Sequence, residues 1–150
     1  MTLSEQELLA KVPTKLYIRG KWVDGHGEKL ISVEDPATGK VLTQIANATA
    51  EDGLAALSAA SETQESWAKT PPRERGEILR RTFELVKARS EEFAMLISME
   101  MGKPLAEARG EVAYGNEFLR WFSEEAVRIS GRYGSSPEGT GRMLILSLIH

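Results

Sequence analysis

Residues 100–131, EMGKPLAEARGEVAYGNEFLRWFSEEAVRISG, hold the longest uninterrupted helical pattern in the chain, and any fold this sequence adopts must give that helix something to lie on. Leu105, Ala108, Val112, Gly115, Leu119, Phe122, Ala126 and Ile129 step by three and four residues, which puts them on one side of an α-helix and predicts that side to be core. A second row, Tyr114, Phe118 and Trp121, lies beside the first. Glu117, Arg120, Glu124 and Arg128 form a charged solvent face. At 1.5 Å per residue the helix runs roughly 35 to 40 Å, about the width of a small domain.

The rest of the chain supplies first strands, then helices. Ser4 with Glu7 is a capping-box pattern that starts a short helix over residues 5–11, and Pro13 stops it, leaving residues 1–14 as a loosely held N-terminal arm. Leu16, Ile18, Trp22 and Val23 are strand-like, Asp24-Gly25-His26-Gly27 is turn chemistry, and residues 30–33 return, which predicts a β-hairpin between those two stretches. Residues 35–40, DPATGK, form a further turn, after which Val41, Thr43 and Ile45 alternate as a third strand.

At Thr49 the period changes to helical. Asp52 follows as cap partner, and Leu54, Leu57, Ala60 and Trp67 predict a helix over residues 50–68. Pro71 and Pro72 break it and prime a second, with Ile78, Leu79, Thr82, Phe83, Leu85 and Val86 as one apolar stripe. Ser90 is expected to cap a third, in which Phe93, Leu96, Ile97 and Met101 face inward until Gly102 takes the left-handed C-terminal position. Met95, Met99 and Met101 read as core filler. Pro104 opens the long fourth helix. Beyond Gly131, Gly, Ser and Pro mark a hairpin or arm leaving the helical layer, with a loop at residues 137–141 and an apolar end at residues 144–149.

Composition narrows the chemistry. With 41% hydrophobic and 27% charged residues the chain is an ordinary globular one, and a net charge of −3 speaks against a nucleic-acid surface. The basic run around Arg73, Arg75, Arg80 and Arg81 is interleaved with Glu74, Glu77 and Glu84 and reads as a solvated helix face. There is no cysteine, and the two histidines, His26 and His150, are too few for a zinc site or a His-dependent triad. No catalytic, cofactor-binding or metal residue can be assigned from the residues alone. No secretory signal or membrane-spanning run is legible, so a cytoplasmic, non-membrane protein is expected.

The order of signals nevertheless resembles the N-terminal part of the NAD(P)-dependent aldehyde dehydrogenase superfamily. The matching residues are Ile18-Arg19-Gly20-Lys21-Trp22-Val23, the 35–40 turn, the helix containing Ala55 to Trp67, Pro72-Arg73-Glu74-Arg75, and Glu100-Met101-Gly102-Lys103-Pro104-Leu105 with Glu107, Ala108, Glu111 and Val112 after it. Residues 118–126, FLRWFSEEA, with Arg128, Ile129 and Gly131, resemble the succinate-semialdehyde dehydrogenase branch, including the glutarate-semialdehyde enzymes.

The resemblance implies an α/β, aldehyde dehydrogenase-like fold, here a truncated N-terminal portion: a β-hairpin and third strand, four α-helices, then the start of a β arm. Residues 15–131 would be the N-terminal part of the cofactor-binding domain, and residues 132–150 the start of an oligomerisation arm with an atypical tail at residues 144–150 that points to truncation or a frame change. It further implies oxidation of an aldehyde, with succinate semialdehyde as the expected substrate, by NAD or NADP in a homo-oligomeric enzyme. The implied cysteine nucleophile and glutamate base are not assignable here, so the chain is expected to be inactive alone.

In that family the long helix passes the mouth of the substrate tunnel. Tyr114, Phe118 and Trp121, with Glu111 at the rim, then become candidate tunnel-wall residues, although aromatic rows at helical spacing also arise from plain packing. Glu100 and Lys103 are expected to fix the helix-to-helix turn. The competing reading is a stand-alone, non-catalytic helical interaction module whose aromatic row docks a partner helix. A segment should show exposed apolar faces, hence dye binding, aggregation or a molten state, whereas a module should be soluble and cooperatively folded by itself.

Overall fold

Each helix begins or ends where a local side chain or a proline dictates it. The computed structural model describes residues 4–128, 131–136 and 139–145. Helix α1 (Glu5–Leu9) carries the expected capping box: Ser4 Oγ accepts from the Glu7 amide at 3.3 Å, and Glu7 accepts from the Ser4 amide at 2.8 Å. Its Leu8 is the largest fully buried side chain among the described residues, so this arm is pinned rather than loosely held.

The strand pairing differs from expectation. β1 (Leu16–Ile18) pairs antiparallel with β2 (Lys21–Val23), so the first hairpin closes at Arg19-Gly20 and residues 24–27 are not its turn. Arg19 and Gly20 both have positive φ, 53° and 73°, as a two-residue loop needs if its twist is to match the strands. β3 (Leu30–Glu34) instead pairs with β4 (Val41–Ala46), with an irregularity at Val33/Glu34. The turn between them is held by Asp35, which accepts from the Ala37 amide at 2.8 Å and the Thr38 hydroxyl at 2.7 Å. Four strands in two hairpins therefore precede the long helices, where three strands were expected. β5 (Arg132–Ser135) and β6 (Arg142–Ile145) form a third antiparallel pair. The expected tail beyond residue 145 and part of the 137–141 loop lie outside the described residues.

The four longer helices fall where the caps and prolines put them: α2 (Ala50–Ala68), α3 (Pro72–Ala88), α4 (Ser90–Met101) and α5 (Leu105–Glu125), the last followed by a 3-10 turn at Ala126–Arg128. Thr49 and Asp52 form a full capping box on α2. Ser90 does not cap α4. The N-cap position is Arg89, and Ser90 is already helical, so its hydroxyl cannot reach forward to an orphan amide. Gly102 ends α4 in the left-handed conformation, φ 69°, with its amide donating to the Ser98 carbonyl at 2.9 Å.

The helical core is small and built from small residues. Ala94 of α4 and Ala108 and Val112 of α5 are buried together, with Val86, Phe93, Ile97 and Leu105 packed around them. Burying a valine side chain contributes roughly 1.5 to 3 kcal/mol, whereas the alanines act chiefly by letting the helices approach. Farther along the same stripe of α5, Gly76 of α3 lies against the Ser123 carbonyl.

Two members of the expected inward stripe of α5 are corrected: Gly115 and Phe122 are exposed, and Asn116 is buried in their stead at 7% exposure. Asn116 Nδ2 donates to the Phe83 carbonyl at 3.2 Å, which ties α5 to α3 through a polar contact that an apolar search passes over. Ile129 of the same stripe lies outside the described residues. Leu85 and Met101, expected inside, are also exposed, since the α3 and α4 stripes narrow toward the α4–α5 seam.

Candidate functional site

The Gly102-Lys103-Pro104 corner aims α5. Ser98 Oγ donates to the Lys103 carbonyl at 2.7 Å, closing the turn that the left-handed Gly102 begins, and Pro104 then precedes the first residue of α5 with φ −57°. A Cβ on Gly102 would lie 2.9 Å from Pro36 Cγ, so the 35–40 turn is wedged against this corner. Lys103 Nζ forms an ion pair with Glu111, spanning the first turns of α5. Lys103 thus fixes the helix-to-helix corner, as expected of it, and Glu111 is engaged by that corner at the near end of the aromatic row.

Of the four residues expected along the tunnel wall, the structure brings two together. Tyr114 and Phe118 meet edge to face with centroids 5.1 Å apart, and Phe118 stacks on Phe122 at 6.5 Å with the planes inclined by 16°. Offsets of four residues place these rings on one face. The rings in contact, a ladder, are therefore Tyr114, Phe118 and Phe122, while Trp121, one turn past Phe118 and 64% exposed, pairs with no ring among the described residues. Phe122 was missed because its spacing from Leu119 and Ala126 also fits the core stripe. The i, i+4 step from Phe118 was the signal that could have found it.

Tyr114 is 70% exposed and Phe122 54%, so the ladder is not consumed by packing against the described residues. Each end meets a groove. Tyr114 borders an open groove of about 520 Å³ between α3, α4 and α5, lined by Phe83, Lys87, Arg109, Val112 and Asn116 among others. Phe122 borders a second, of about 530 Å³, with Trp67, Ile78, Leu79 and Ala126.

The first groove carries paired charge. Arg109 donates to Glu91 from Nε at 3.0 Å and from Nη2 at 2.9 Å, and this fork holds the Glu91 carboxyl below its ordinary range. Lys87 lies over the Phe83 ring at 5.8 Å. Asn116 Oδ1, at the groove floor, is buried with no hydrogen-bond partner among the described residues. The second groove is mainly apolar, rimmed by Arg75, Glu125 and Arg128.

No group of three or more His, Asp or Glu residues among the described residues is placed to hold a metal ion. None of their helices is long and apolar enough to cross a membrane. What the surface can offer is an apolar, aromatic rail between two grooves, suited to guiding or covering an uncharged organic group.

Comparison with known proteins gives this surface its context. The sequence profile of the aldehyde dehydrogenase family matches residues 22–147. The chain is 65% identical over 105 residues to succinate-semialdehyde dehydrogenase of Paenarthrobacter nicotinovorans, covering 70% of this chain and 23% of that protein. It is 35% identical over 129 residues to an NADP(+) succinate-semialdehyde dehydrogenase of Escherichia coli, covering 86% of this chain and 27% of that one. Among solved structures, succinate-semialdehyde dehydrogenase from Burkholderia pseudomallei superposes with a TM-score of 0.81 at 38% identity, over 85% of this chain and 27% of the other. The chain spans about a quarter of the length of the curated relatives it matches.

Proposed function

As the chain belongs to the aldehyde dehydrogenase family, we propose that it works as the N-terminal segment of an NAD(P)+-dependent enzyme that oxidises succinate semialdehyde to the carboxylic acid. In this reading residues 15–131 belong to the cofactor-binding domain, residues 1–14 are an arm, and residues 132–150 begin the arm through which subunits of a homo-oligomer join. Tyr114, Phe118 and Trp121 form one wall of the substrate passage, with Glu111 at its rim.

The observation that carries this reading is the exposed ladder itself. α5 buries Ala108, Val112 and Asn116 on the neighbouring face, while Tyr114, Phe118 and Phe122 stay largely exposed among the described residues. An apolar wall of this kind excludes water from an aldehyde and its methylenes while leaving the reacting groups to other parts of the enzyme. The 150 residues contain no cysteine, so the thiolate nucleophile of the family is not among them. The described sheets are all antiparallel hairpins with no strand–helix–strand crossover to cradle a pyrophosphate. Dinucleotide binding and the chemical step are accordingly assigned outside these residues.

Two assays test the proposal. The purified chain with succinate semialdehyde and NAD+ or NADP+ is expected to reduce neither cofactor, and protein-dependent reduction would sink the segment reading. Replacing the matching segment of the P. nicotinovorans enzyme by residues 22–147 then allows Tyr114→Ala and Phe118→Ala to be measured in an active background. Both should lower kcat/KM by more than any shift in unfolding, measured on the same variants, accounts for. Unaltered kcat/KM for both would remove them from the passage.

A further inference from the structure

Helix α2 is fastened to the strands before it by polar contacts more than by apolar ones. Its Leu54 and Leu57 face solvent among the described residues. On the far side of the helix, Glu62 receives both guanidinium nitrogens of Arg19 at 2.5 and 2.7 Å, so the β1–β2 turn grips α2 at one point. The other point is its N-terminus. There Asp52 is 2% exposed and its carboxylate is saturated with donors: the Thr49 amide and hydroxyl, each at 2.8 Å, the His26 amide at 3.1 Å, and His26 Nδ1 at 2.7 Å.

Only part of this arrangement depends on a proton. The Thr49 donors and the His26 amide bind the carboxylate at any neutral pH and keep Asp52 ionised, and its carboxyl is held far below the usual range, with the Thr49 amide as first cause and the His26 ring as second. The His26 ring is the variable member. The charged groups facing it are Asp52 and Glu51, both from α2, with Glu51 3.7 Å from Nε2. On its own loop, Asp24 is occupied by Lys15 at 2.7 Å. Among the described residues, two carboxylates and no cation thus confront an imidazole that sits in an exposed turn. The hydrogen bond that Nδ1–H donates to Asp52 first, and the Glu51 charge next, raise the His26 pKa. Behind the ring, the loop has little slack. A Cβ on Gly25 would lie 3.0 Å from Leu16 and 3.3 Å from Asp52, and one on Gly27 would lie 2.9 Å from the Asn47 carbonyl.

We propose that His26 and Asp52 form a proton-dependent latch that fastens the loop between β2 and β3 to the N-terminus of α2, tightening when His26 is protonated. In the imidazolium form, Nδ1–H donates to Asp52 with full charge assistance and Nε2–H faces Glu51. In the neutral form, the Nδ1–H tautomer keeps a weaker bond and the attraction to Glu51 is lost. The His26 amide holds the loop in both states, so the latch loosens without releasing. Acidification across the range near neutrality therefore stiffens the junction between the hairpins and the first long helix.

The test uses the full 150-residue chain, with His150→Gln leaving one imidazole to follow by NMR. The His26 midpoint is expected above about 6.5, the ordinary imidazole value, and Asp52→Asn should lower it toward that value, leaving only the Glu51 contribution. Hydrogen exchange of residues 24–28 and 49–53, corrected for intrinsic rate, should be roughly two- to fivefold faster at about pH 8 than at about pH 5.5, the range of one exposed charge pair. That difference should vanish in His26→Gln, whose amide still reaches Asp52. A His26 midpoint at or below about 6.5, a wild-type junction whose protection ignores pH, or the same pH step in His26→Gln would each overturn the latch.

Discussion

The approach of α3 to α5 at Gly76 makes a sharp prediction because the same substitution elsewhere has the opposite sign. Ala is about 1 kcal/mol better than Gly in a helix interior, so Gly→Ala at an unobstructed helical site should stabilise by that amount. Gly110 and Gly115 of α5 are such sites, with nothing within 4 Å of an added Cβ. At Gly76 the added Cβ would fall 2.7 Å from the Ser123 carbonyl oxygen, about 0.7 Å short of ordinary contact, and 3.5 Å from Ala126 Cβ. The obstruction is backbone, so no side-chain rotation relieves it, and the last turn of α5 must move. Overpacking of this kind costs about 1 to 3 kcal/mol.

The propensity gain is common to both variants, so the difference between Gly110→Ala and Gly76→Ala isolates the packing cost at about 1 to 3 kcal/mol. Urea unfolding followed by far-UV circular dichroism measures it, and urea also limits association through the exposed apolar faces. If Gly76→Ala proves as stable as Gly110→Ala, α3 and α5 do not meet as described. The exit of the aromatic ladder at Phe122 would then need rebuilding, since Phe122 and Ala126 sit on that same turn.

The junction at Asp52 and His26 predicts a stability window. The Asp52 carboxyl is lowered on folding, so its contribution is present above about pH 4 and lost as pH falls toward the folded value. The His26 imidazole is raised, so its contribution is full below about pH 6.5 and lost as pH rises through the folded value. Urea midpoints should therefore peak between those limits, and a wild-type profile as flat as that of the Asp52→Asn/His26→Gln double variant would refute the assignment. Gly102→Ala should destabilise by at least about 1 to 2 kcal/mol, the cost of a left-handed non-glycine residue, before the 2.9 Å approach to Pro36 is added. A neutral result in the same unfolding assay would mean that the corner is not left-handed. Asn116→Leu should fall within about 1 kcal/mol of the parent, because it removes an unpartnered buried oxygen along with one 3.2 Å hydrogen bond. A loss several times larger would show that Oδ1 has a partner.

The helices were legible because their punctuation is local. Thr49 with Asp52, the Pro71-Pro72 pair, Gly102 and Pro104 each act within one turn of the boundary they set, and α2 begins and ends at the expected residues. Strand pairing was less legible. The first hairpin closes on a positive φ at Arg19, a residue with no intrinsic preference for it, while the glycine-rich residues 24–27 advertised a turn more loudly. Those glycines instead allow close approach, Gly25 to Leu16 and Asp52 and Gly27 to Asn47 and Thr49, which no local pattern reveals.

In the candidate site, the four-residue step made Tyr114 and Phe118 readable as neighbours. Asn116 was passed over because it is polar, although it stands four residues after Val112 on the same stripe. The grooves at either end of the ladder were not readable at all, since each is assembled from residues of three helices.

The alanine seam between α4 and α5 has one more consequence. Ala94 and Ala108 have no side-chain torsions, so their burial sacrifices no rotamer freedom and leaves none to absorb a disturbance. A leucine at such a contact can repack when a neighbour shifts, but a methyl group seated against a methyl group cannot. At that contact the spacing of α4 and α5 is set by backbone and methyl groups alone, and any adjustment falls to the longer side chains around it, Phe93, Ile97 and Leu105.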